Sequence, residues 1–428
     1  MEALTIKLPL VVSVFNCALR VVIGLALACL PALAQGWPQW GGPGRDFKSG
    51  ATGLANRWPA TGPKRLWSRS LGVGHSAIIS EGGAEGGRLY TMYGKAEKEV
   101  VIALDSKTGR TIWEHSYVAP YFPKMNFSYG AGPHSTPLIA GQLLYTIGAT
   151  GKLLCLEKAT GKPRWSHDLW QGYPGAVIDV GYSSSPLAYK NMLIVQAGGS
   201  GRGLMAFDLG SGRVVWQALN FRNSNSSPIL INVDGQEQIV AYMHNAIIGA
   251  DPHNGALLWS HPIKAQWDFH YNISTPVWGP GNLLFASAAY GIGGRALHLS
   301  RSGGGTIVKE LWQSERTRVH KENAIRLGDV IYASTGHLGP AFFTAIDVKT
   351  GKVLWQDRRF SHASFVYADG KFIIQDEDGK LGLATPTDRG LTVHAQIEIL
   401  TSRSWTAPTL VGRTLYLRDR KNIMALQL

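Results

Sequence analysis

Residues 103–113 read Ala-Leu-Asp-Ser-Lys-Thr-Gly-Arg-Thr-Ile-Trp, and this pattern decides the fold because the chain repeats it. In each copy an acidic residue precedes a glycine by four positions and a tryptophan by eight. The five copies are Asp105, Gly109 and Trp113; Glu157, Gly161 and Trp165; Asp208, Gly212 and Trp216; Asp251, Gly255 and Trp259; and Asp347, Gly351 and Trp355. Copies recur at about 40 to 53 residues along most of the chain, which is the spacing of β-propeller blades.

The repeat predicts a β-hairpin with a tryptophan on its second strand. An apolar strand ends at the acidic residue, whose side chain can bond backbone amides and begin the turn. The glycine takes a positive-φ conformation that closes the hairpin. The next strand places the tryptophan on a half-buried face, where its ring can pack between neighbouring blades. The repeat residues are therefore predicted to be structural.

Weaker copies complete the set. Trp312 follows a glycine-rich insertion at 302–306, Ile397 replaces the tryptophan in another copy, and Trp67 stands alone near the start. Eight strands thus carry this position, and the chain ends in an apolar strand at 423–426. We predict an all-β, eight-bladed β-propeller with four-stranded antiparallel blades. Its last blade would combine C-terminal strands with the N-terminal strand around 65–68, because such closure covers exposed sheet edges.

The N-terminus is typical of an export signal. Lys7 and Arg20 supply positive charge, 21–30 is an apolar run, and 32–34 gives the small-x-small cleavage pattern. The apolar run is shorter than the roughly 20 residues that a membrane span needs. Retention as an anchor, which would also use the apolar stretch 8–15, is the alternative.

The chain is expected to divide into three segments: a signal peptide at 1–34, a lead-in at 35–62, and a single propeller domain at 63–428. Cleavage near Ala34 would leave an exported protein, periplasmic or extracellular, with no transmembrane span. Cys155 would then be the one remaining cysteine, so the mature protein would form no internal disulfide. A lipid anchor at Cys29 is an alternative that we do not favour.

The formal net charge is +13 at pH 7, and a basic surface attracts anions. The charges do not gather in one short basic run, so the usual signature of nucleic-acid binding is missing. No Cys/His cluster has metal-site spacing. We therefore expect a monomer whose partner is an anionic small molecule or an envelope polymer or protein, with no nucleic acid and no metal. A basic surface without a dedicated partner is the alternative.

The Ala-x-Asp-x-x-Thr-Gly-x-x-x-Trp unit resembles the repeat of pyrroloquinoline-quinone (PQQ) dehydrogenases and of BamB-like envelope proteins. The opening sequence WPQWGGPGRD, at 37–46, is also similar to the start of bacterial quinone-repeat propellers. This resemblance covers roughly residues 37–428 and implies the eight-bladed fold. It is a poor guide to function, because the repeat residues build the scaffold.

The resemblance implies two functions. One is a binding or scaffold protein of the cell envelope, which we favour. The other is a PQQ-dependent dehydrogenase that oxidises an alcohol or sugar with PQQ and calcium. In those enzymes adjacent cysteines contact the quinone, and this chain lacks such a pair; Glu, Asn and Asp bind the calcium, and Glu322-Asn323 is the adjacent candidate here. A carbohydrate or cell-wall polymer binder is a third alternative, suggested by aromatic residues in the loops.

In a propeller, the connections from each outermost strand to the next blade lie on one face, above the channel. Here these connections are rich in aromatic and basic residues, so we predict a cationic, aromatic-rich ligand face. The ligand-binding candidates are His75, His134, Tyr182, His270, Glu322, Asn323, His362, Arg403 and Trp405. No catalytic residue is assigned, and histidines at such positions often bond only to neighbouring backbone.

Overall fold

The computed structural model describes Met1 and residues 36–428, apart from 84–85, 123–124, 129, 174–177 and 267–270. The predicted signal peptide, beyond Met1, lies outside the described residues. The rest of the chain forms eight separate four-stranded antiparallel sheets in a ring, which confirms the predicted eight-bladed β-propeller. One short 3-10 helix, Glu315–Thr317, joins the described strands. In the described part no helix is both long and apolar enough to span a bilayer.

The first four blades follow chain order after β1 (Lys64–Ser70), which belongs to the last blade. Blade 1 contains β2 (Ile79–Glu81), β3 (Arg88–Lys95), β4 (Lys98–Asp105) and β5 (Thr111–Val118). Blade 2 contains β6 (Leu138–Ala140), β7 (Leu143–Ile147), β8 (Lys152–Glu157) and β9 (Pro163–Asp168). Blade 3 contains β10 (Leu187–Tyr189), β11 (Met192–Val195), β12 (Leu204–Asp208) and β13 (Val214–Ala218). Blade 4 contains β14 (Ile229–Val233), β15 (Gln236–Tyr242), β16 (Ala246–Ala250) and β17 (Leu257–Pro262).

The remaining blades continue in the same order. Blade 5 contains β18 (Val277–Gly279), β19 (Leu283–Ala288), β20 (Gly293–Ser302) and β21 (Gly305–Ser314). Blade 6 contains β22 (Ala324–Leu327), β23 (Val330–Thr335), β24 (Phe342–Asp347) and β25 (Val353–Asp357). Blade 7 contains β26 (Ser364–Ala368), β27 (Lys371–Gln375), β28 (Lys380–Pro386) and β29 (Leu391–Glu398). Blade 8 contains β30 (Thr409–Val411), β31 (Thr414–Arg418), β32 (Asn422–Gln427) and β1.

The two ends of the chain close the ring as the sequence predicts. β1 pairs antiparallel with β32, from Lys64 opposite Gln427 to Ser70 opposite Asn422. The fully buried Arg418 then ties this last blade to the first, because its Nη1 donates to the carbonyl oxygens of Ser76 and Met92 at 2.8 and 2.6 Å and to Thr91 Oγ1. Closure therefore combines a strand pairing with a buried charged hydrogen-bond cluster.

Five of the tryptophans pack on a glycine of the following blade: Trp67, Trp113, Trp165, Trp216 and Trp312. A Cβ at Gly212 would lie 2.6 Å from Cδ2 of Trp165, and Gly109 meets Trp67 in the same way. The indole Nε1 also donates to a turn carbonyl of that next blade, as Trp67 does to Ser106 at 2.9 Å. Trp67 is thus explained, since it joins blade 8 to blade 1.

The acidic residue of the repeat holds the turn beneath the tryptophan. Asp105 Oδ1 accepts hydrogen bonds from the backbone amides of Lys107 and Thr108 at 3.1 and 2.8 Å, and from Thr108 Oγ1. Gly109, at φ +69°, donates its amide to the Asp105 carbonyl oxygen at 2.9 Å. The turn is therefore fixed by the acidic residue, and the glycine leaves room for the indole ring.

Two blades depart from the pattern. Blade 5 has a long hairpin between β20 and β21 in place of the repeat turn. Trp259 of blade 4 therefore packs on Gly249 of its own sheet, and its indole Nε1 donates to Gln238 Oε1 at 2.7 Å. Ile397, the tryptophan replacement in blade 7, packs on Gly62, whose φ is +83°. Gly62 precedes β1 as the repeat glycines precede other outermost strands, so it is a sixth copy of the turn glycine, which the sequence analysis missed.

The segment before the first strand crosses the central channel. We call residues 37–49 the plug. Its hydrogen bonds reach blade 1 at Ser80, blade 2 at Ile139, blade 3 at Pro186, blade 5 at Thr275, blade 7 at Tyr367 and blade 8 at Leu410. The plug therefore bonds to six of the blades and closes one end of the channel.

Replacing a repeat glycine should separate backbone strain from tryptophan packing. Gly212→Ala should lower the free energy of unfolding by about 3 kcal/mol, because it adds a positive-φ penalty and a clash with Trp165. Gly141→Ala is the matched control, since its φ is +58° and a Cβ there would meet nothing within 4 Å; it should cost about 1 kcal/mol. Urea unfolding measures both values, and equal losses would contradict the packing role.

Candidate functional site

A cavity of about 120 Å³ lies at the centre of the ring, where the residues preceding the first strands converge above the plug. Its opening, on the face of the outermost-to-first connections, is called the mouth. Hydroxyl side chains cover one side of the cavity, and aromatic, imidazole and charged side chains cover the other. The lining residues are Trp40, His75, His134, Val180, Ser183, Ser185, Asn225, Ser227, Tyr271, Ile273, Ser274, Thr275, Lys321, Glu322 and Trp405.

Three cationic side chains surround Trp405 at the mouth. The Lys321 ammonium and the Arg420 guanidinium each lie 4.9 Å from the centroid of the indole ring, and the Arg403 guanidinium lies 5.7 Å away. These distances are those of cation–π contacts. The indole Nε1 donates to Glu377 Oε2 at 2.8 Å, which fixes the ring. The mouth therefore presents a flat aromatic surface bordered by positive charge.

Two stacked histidines extend this surface into the cavity. The rings of His75 and His134 lie 5.4 Å apart at an interplanar angle of 23°, and His75 also packs on Trp405 at 5.1 Å. Arg420 Nε donates to His75 Nε2 at 3.3 Å. Burial, and then the nearby charges of Arg420 and Arg418, lower the pKa of His134 to about 4. The His134 ring is therefore neutral at ordinary pH.

Glu322 is a buried carboxylate with both oxygens already bonded. Oε1 lies 3.2 Å from Lys321 Nζ and 2.9 Å from His362 Nδ1, and Oε2 accepts the Lys321 backbone amide at 3.1 Å. Burial alone would raise the pKa of Glu322, but Lys321 and His362 hold it far below the ordinary value. Conversely, burial alone would lower the pKa of His362, and the bond to Glu322 raises it above the ordinary value.

Glu377 shares Lys321 with Glu322. Its Oε2 lies 3.6 Å from Lys321 Nζ and 3.0 Å from Arg403 Nη1. Burial alone would raise the pKa of Glu377, but the Trp405 hydrogen bond and the nearby cations lower it. Both carboxylates at the mouth are thus ionised and ion-paired, while Arg420 adds a further positive charge.

A more open recess of about 560 Å³ adjoins the cavity across Lys321 and Trp405. Within it His320 Nε2 lies 3.0 Å from the Tyr290 hydroxyl, and the His320 and His337 rings lie 5.0 Å apart. Burial lowers the pKa of His320 to about 3 and also lowers that of His337. These two imidazoles therefore extend the aromatic surface without adding charge.

The structure brings most of the predicted site residues together. Those that line the central cavity are His75, His134, Glu322 and Trp405. His362 and Arg403 lie beside it and bond to its carboxylates. The predicted cationic and aromatic face therefore has a centre at Trp405, although its binding role stays a prediction.

Other predicted residues lie elsewhere. The Tyr182 ring packs on Gly151, and its hydroxyl lies 3.3 Å from the Leu169 carbonyl oxygen. Asn323 joins blade 6 to blade 7, since its amide group exchanges two hydrogen bonds, of 2.8 and 3.0 Å, with the backbone of Phe365. Neither residue lines the central cavity. His270 lies outside the described residues.

The sequence analysis missed residues that approach the mouth from a second set of loops. Glu377 lies in the hairpin between β27 and β28, Arg420 in that between β31 and β32, and His337 in that between β23 and β24. Because the strands are antiparallel, these hairpins share a face with the outermost-to-first connections. Short polar turns after each second strand were the signal that could have found them. Trp40, in the plug, had no such signal.

The residues at the mouth do not fit calcium. Calcium takes about six to eight oxygen ligands, mostly from carboxylates and carbonyls. Here Lys321 Nζ lies between Glu322 and Glu377, and the Asn323 amide is used by Phe365. Among the described residues, no group of three or more His, Cys, Asp or Glu side chains is placed to hold a metal ion. The adjacent pair Glu322-Asn323 therefore does not form the calcium site that the resemblance implied.

The ring of eight repeat blades places the chain in the class of quinone-repeat propellers. More narrowly, the chain belongs to the family described as outer membrane protein assembly factor BamB, which matches residues 97–357, more than half of its length.

Individual relatives include an outer membrane assembly factor and an alcohol dehydrogenase. The chain is 23% identical over 317 residues to the outer membrane protein assembly factor BamB of Yersinia pestis, covering 68% of this chain and 73% of that protein. It is 26% identical over 207 residues to a quinohemoprotein alcohol dehydrogenase of Comamonas testosteroni. That match covers 45% of this chain and 27% of the dehydrogenase, so the chain spans about a quarter of that enzyme.

Solved structures show the same fold. The crystal structure of the Comamonas testosteroni quinohemoprotein alcohol dehydrogenase has a TM-score of 0.65 at 13% identity, covering 92% of this chain and 81% of that one. The crystal structure of BamB from Moraxella catarrhalis has a TM-score of 0.56 at 17% identity, covering 86% of this chain and all of that one. At these identities the similarity establishes the fold alone. Whether the chain is an enzyme must be argued from the residues of the site.

The His362–Glu322 pair should be visible in a pH titration. NMR signals of the His362 ring should titrate above the ordinary value of about 6.5, because the Glu322 carboxylate stabilises the imidazolium. Besides Glu322, the titratable groups near it are Lys321, His337, His320 and Glu377. The pair should stabilise the fold fully below about pH 6.5, and the stabilisation should be lost as the pH rises through the folded-state pKa of His362.

Glu322→Gln is the decisive variant for this pair, and His362→Gln assigns the signal. In Glu322→Gln the His362 pKa should fall, since burial and Lys321 then act without the carboxylate. A wild-type His362 pKa that is below 6.5, or that does not change in Glu322→Gln, would contradict this account.

Proposed function

We propose that this chain is a non-catalytic binding propeller of the cell envelope, which holds an anionic ligand at the mouth of its central cavity. The observation that carries the proposal is the group of three cations around Trp405. A stacking surface bordered by charge suits a carboxylate on a ring or on a polymer. An exported scaffold that binds an anionic envelope polymer or protein fits the family to which the chain belongs.

The charge balance at the mouth supports an anionic ligand. Lys321, Arg403 and Arg420 face two carboxylates, Glu322 and Glu377, which leaves a positive excess. Arg403 is 45% exposed, so it can approach a ligand from solvent. The plug closes the far end of the channel, so a ligand must enter and leave through this charged opening.

A PQQ-dependent dehydrogenase is the alternative, and one observation favours it: the same cations suit the acidic groups of PQQ. PQQ supplies the redox chemistry in enzymes that bind it. In this chain Lys321, Arg403 and Arg420 would hold its acidic groups and Trp405 would orient its ring. The calcium ligands do not fit, however, because Lys321 occupies the space between the carboxylates. No oxidation step is therefore assigned to this site.

Calorimetric titration of the purified protein with citrate, and with PQQ with and without calcium, separates these functions. A binding propeller should bind citrate or PQQ at micromolar to submillimolar concentration, with no effect of calcium on the affinity. Binding of PQQ that requires calcium would support the dehydrogenase. Failure of both probes to bind below 10 mM would contradict an anion site.

Charge variants locate the bound anion. Arg420→Gln should weaken citrate or PQQ binding at least tenfold, because it removes a cation that contacts both Trp405 and His75. Arg389→Gln is the matched control, since this side chain is 93% exposed in the hairpin between β28 and β29. That variant should change the affinity less than twofold. Equal losses in both variants would mean that net charge, and not the mouth, attracts the ligand.

A further inference from the structure

The cavity beneath Trp405 has chemistry that the mouth cations do not explain. It ends on Trp40 of the plug, whose indole Nε1 donates to Thr275 Oγ1 at 2.9 Å. The cavity thus has an indole at its closed end and another, Trp405, at its opening. Such rings offer flat apolar surfaces on which a second ring can pack.

Hydroxyl groups line one side of this cavity, and their oxygens are held in place. Ser185 Oγ accepts the Thr136 amide at 3.0 Å, and Ser227 Oγ accepts the Ser185 amide at 2.9 Å. Thr275 Oγ1 accepts from Trp40 in the same way. A hydroxyl group has one proton to donate besides its acceptor capacity. Among the described residues these three hydroxyl groups donate to no protein acceptor, so each can donate to a ligand oxygen.

The opposite side of the cavity offers an acceptor and a cation. A carboxylate has about four acceptor positions, and Lys321 and His362 use three of those of Glu322, so about one remains for a ligand hydroxyl. Lys321 Nζ carries positive charge beside Glu322 at 3.2 Å. A ligand with many hydroxyl groups can therefore bond to both sides of the cavity.

The volume limits what can be enclosed. An engineered cavity of about 150 Å³ holds one benzene molecule, so the 120 Å³ here has room for no more than one six-membered ring. Any further part of the ligand must lie outside, among the cations of the mouth. Because the plug closes the channel, a chain-like ligand can enter only by its end.

We propose that the cavity binds one sugar ring of an acidic glycan, with its hydroxyl groups between the serine and threonine side and Glu322, and its carboxylate among the cations of the mouth. This inference rests on the proposed binding function and adds the class of ligand. It makes the protein a receptor for the terminal acidic sugar of a polymer, since a single ring reaches the plug.

Two uronates and two control ring compounds of similar size test which groups are recognised. Calorimetric titration should show that glucuronate or galacturonate binds at least tenfold more tightly than cyclohexanecarboxylate, which lacks the ring hydroxyls. The same uronate should bind at least tenfold more tightly than glucose, which lacks the carboxylate. Equal binding of either control compound, or failure of both uronates to bind below 10 mM, would overturn the proposal.

Variants of the hydroxyl side test the location. Thr275→Val should weaken uronate binding at least fivefold, and Thr275→Ser, which restores a hydroxyl, should recover most of it. Ser227→Ala should weaken binding similarly, whereas Ser226→Ala is the matched control. Ser226 lies in the same turn and bonds the Ser274 carbonyl oxygen at 3.0 Å, but it does not line the cavity. Equal effects of the two serine variants would overturn the assigned location.

Citrate distinguishes a failure of this inference from a failure of the proposed function. The affinity for citrate should fall in Arg420→Gln and stay unchanged in Ser227→Ala, because citrate binds at the mouth. If citrate binds in that way and the uronates do not, the sugar site is wrong and the anion-binding function stands. If neither binds, both are wrong. Thermal unfolding of each variant without ligand confirms that the fold is retained.

Discussion

An indole ring lying flat on a glycine of the next blade is the contact on which the ring depends. The indole belongs to an outermost strand and the glycine to a turn of the next blade. Their contact therefore sets both the distance and the rotation between neighbouring sheets. The glycine satisfies two demands at once, because the turn needs positive φ and the indole needs the space of a Cβ, as at Gly212. The acidic residue serves the same contact by holding the turn rigid, as Asp105 does. Where blade 5 lacks this turn, Trp259 folds back onto its own sheet.

The lining of the central cavity depends on this spacing between neighbouring blades. Once the blades are placed, the residues before each first strand form a circle in which one blade bonds the next, as Thr136 does to Ser185 and Ser185 to Ser227. In these bonds the hydroxyl oxygens accept, so each hydroxyl group keeps its proton for donation to a ligand. The same arrangement that holds the circle together therefore produces a polar lining, and charged residues from loops complete it at Lys321 and Glu322. Structure and candidate function here share the same side chains.

Local patterns in the sequence were sufficient for the scaffold and insufficient for the site. The acidic–glycine–tryptophan spacing recurs because each blade repeats one physical contact, so even an isolated Trp67 could be assigned to a closing blade. The mouth has no such repetition. His75, His134, Glu322 and Trp405 were expected because their connections lie above the channel, but Glu377 and Arg420 come from hairpins that look like ordinary polar turns. Asn323 looked like a metal ligand beside Glu322, and its amide instead bonds the Phe365 backbone, a partner 42 residues away.

The position of the plug constrains the order in which the molecule can be assembled. Its partners, from Ser80 to Leu410, are distributed over most of the chain, although the segment itself precedes every strand. Contacts between residues so distant in sequence form late, after shorter loops have closed. The plug can therefore make all of its contacts only after the last blades are synthesised, and β1, which follows the plug, can pair only after β32 is made. A chain that emerges from its N-terminus thus keeps the rings of Trp40 and Phe47 exposed until Thr275 and Tyr367 have been made, which gives a holding chaperone a defined segment to protect.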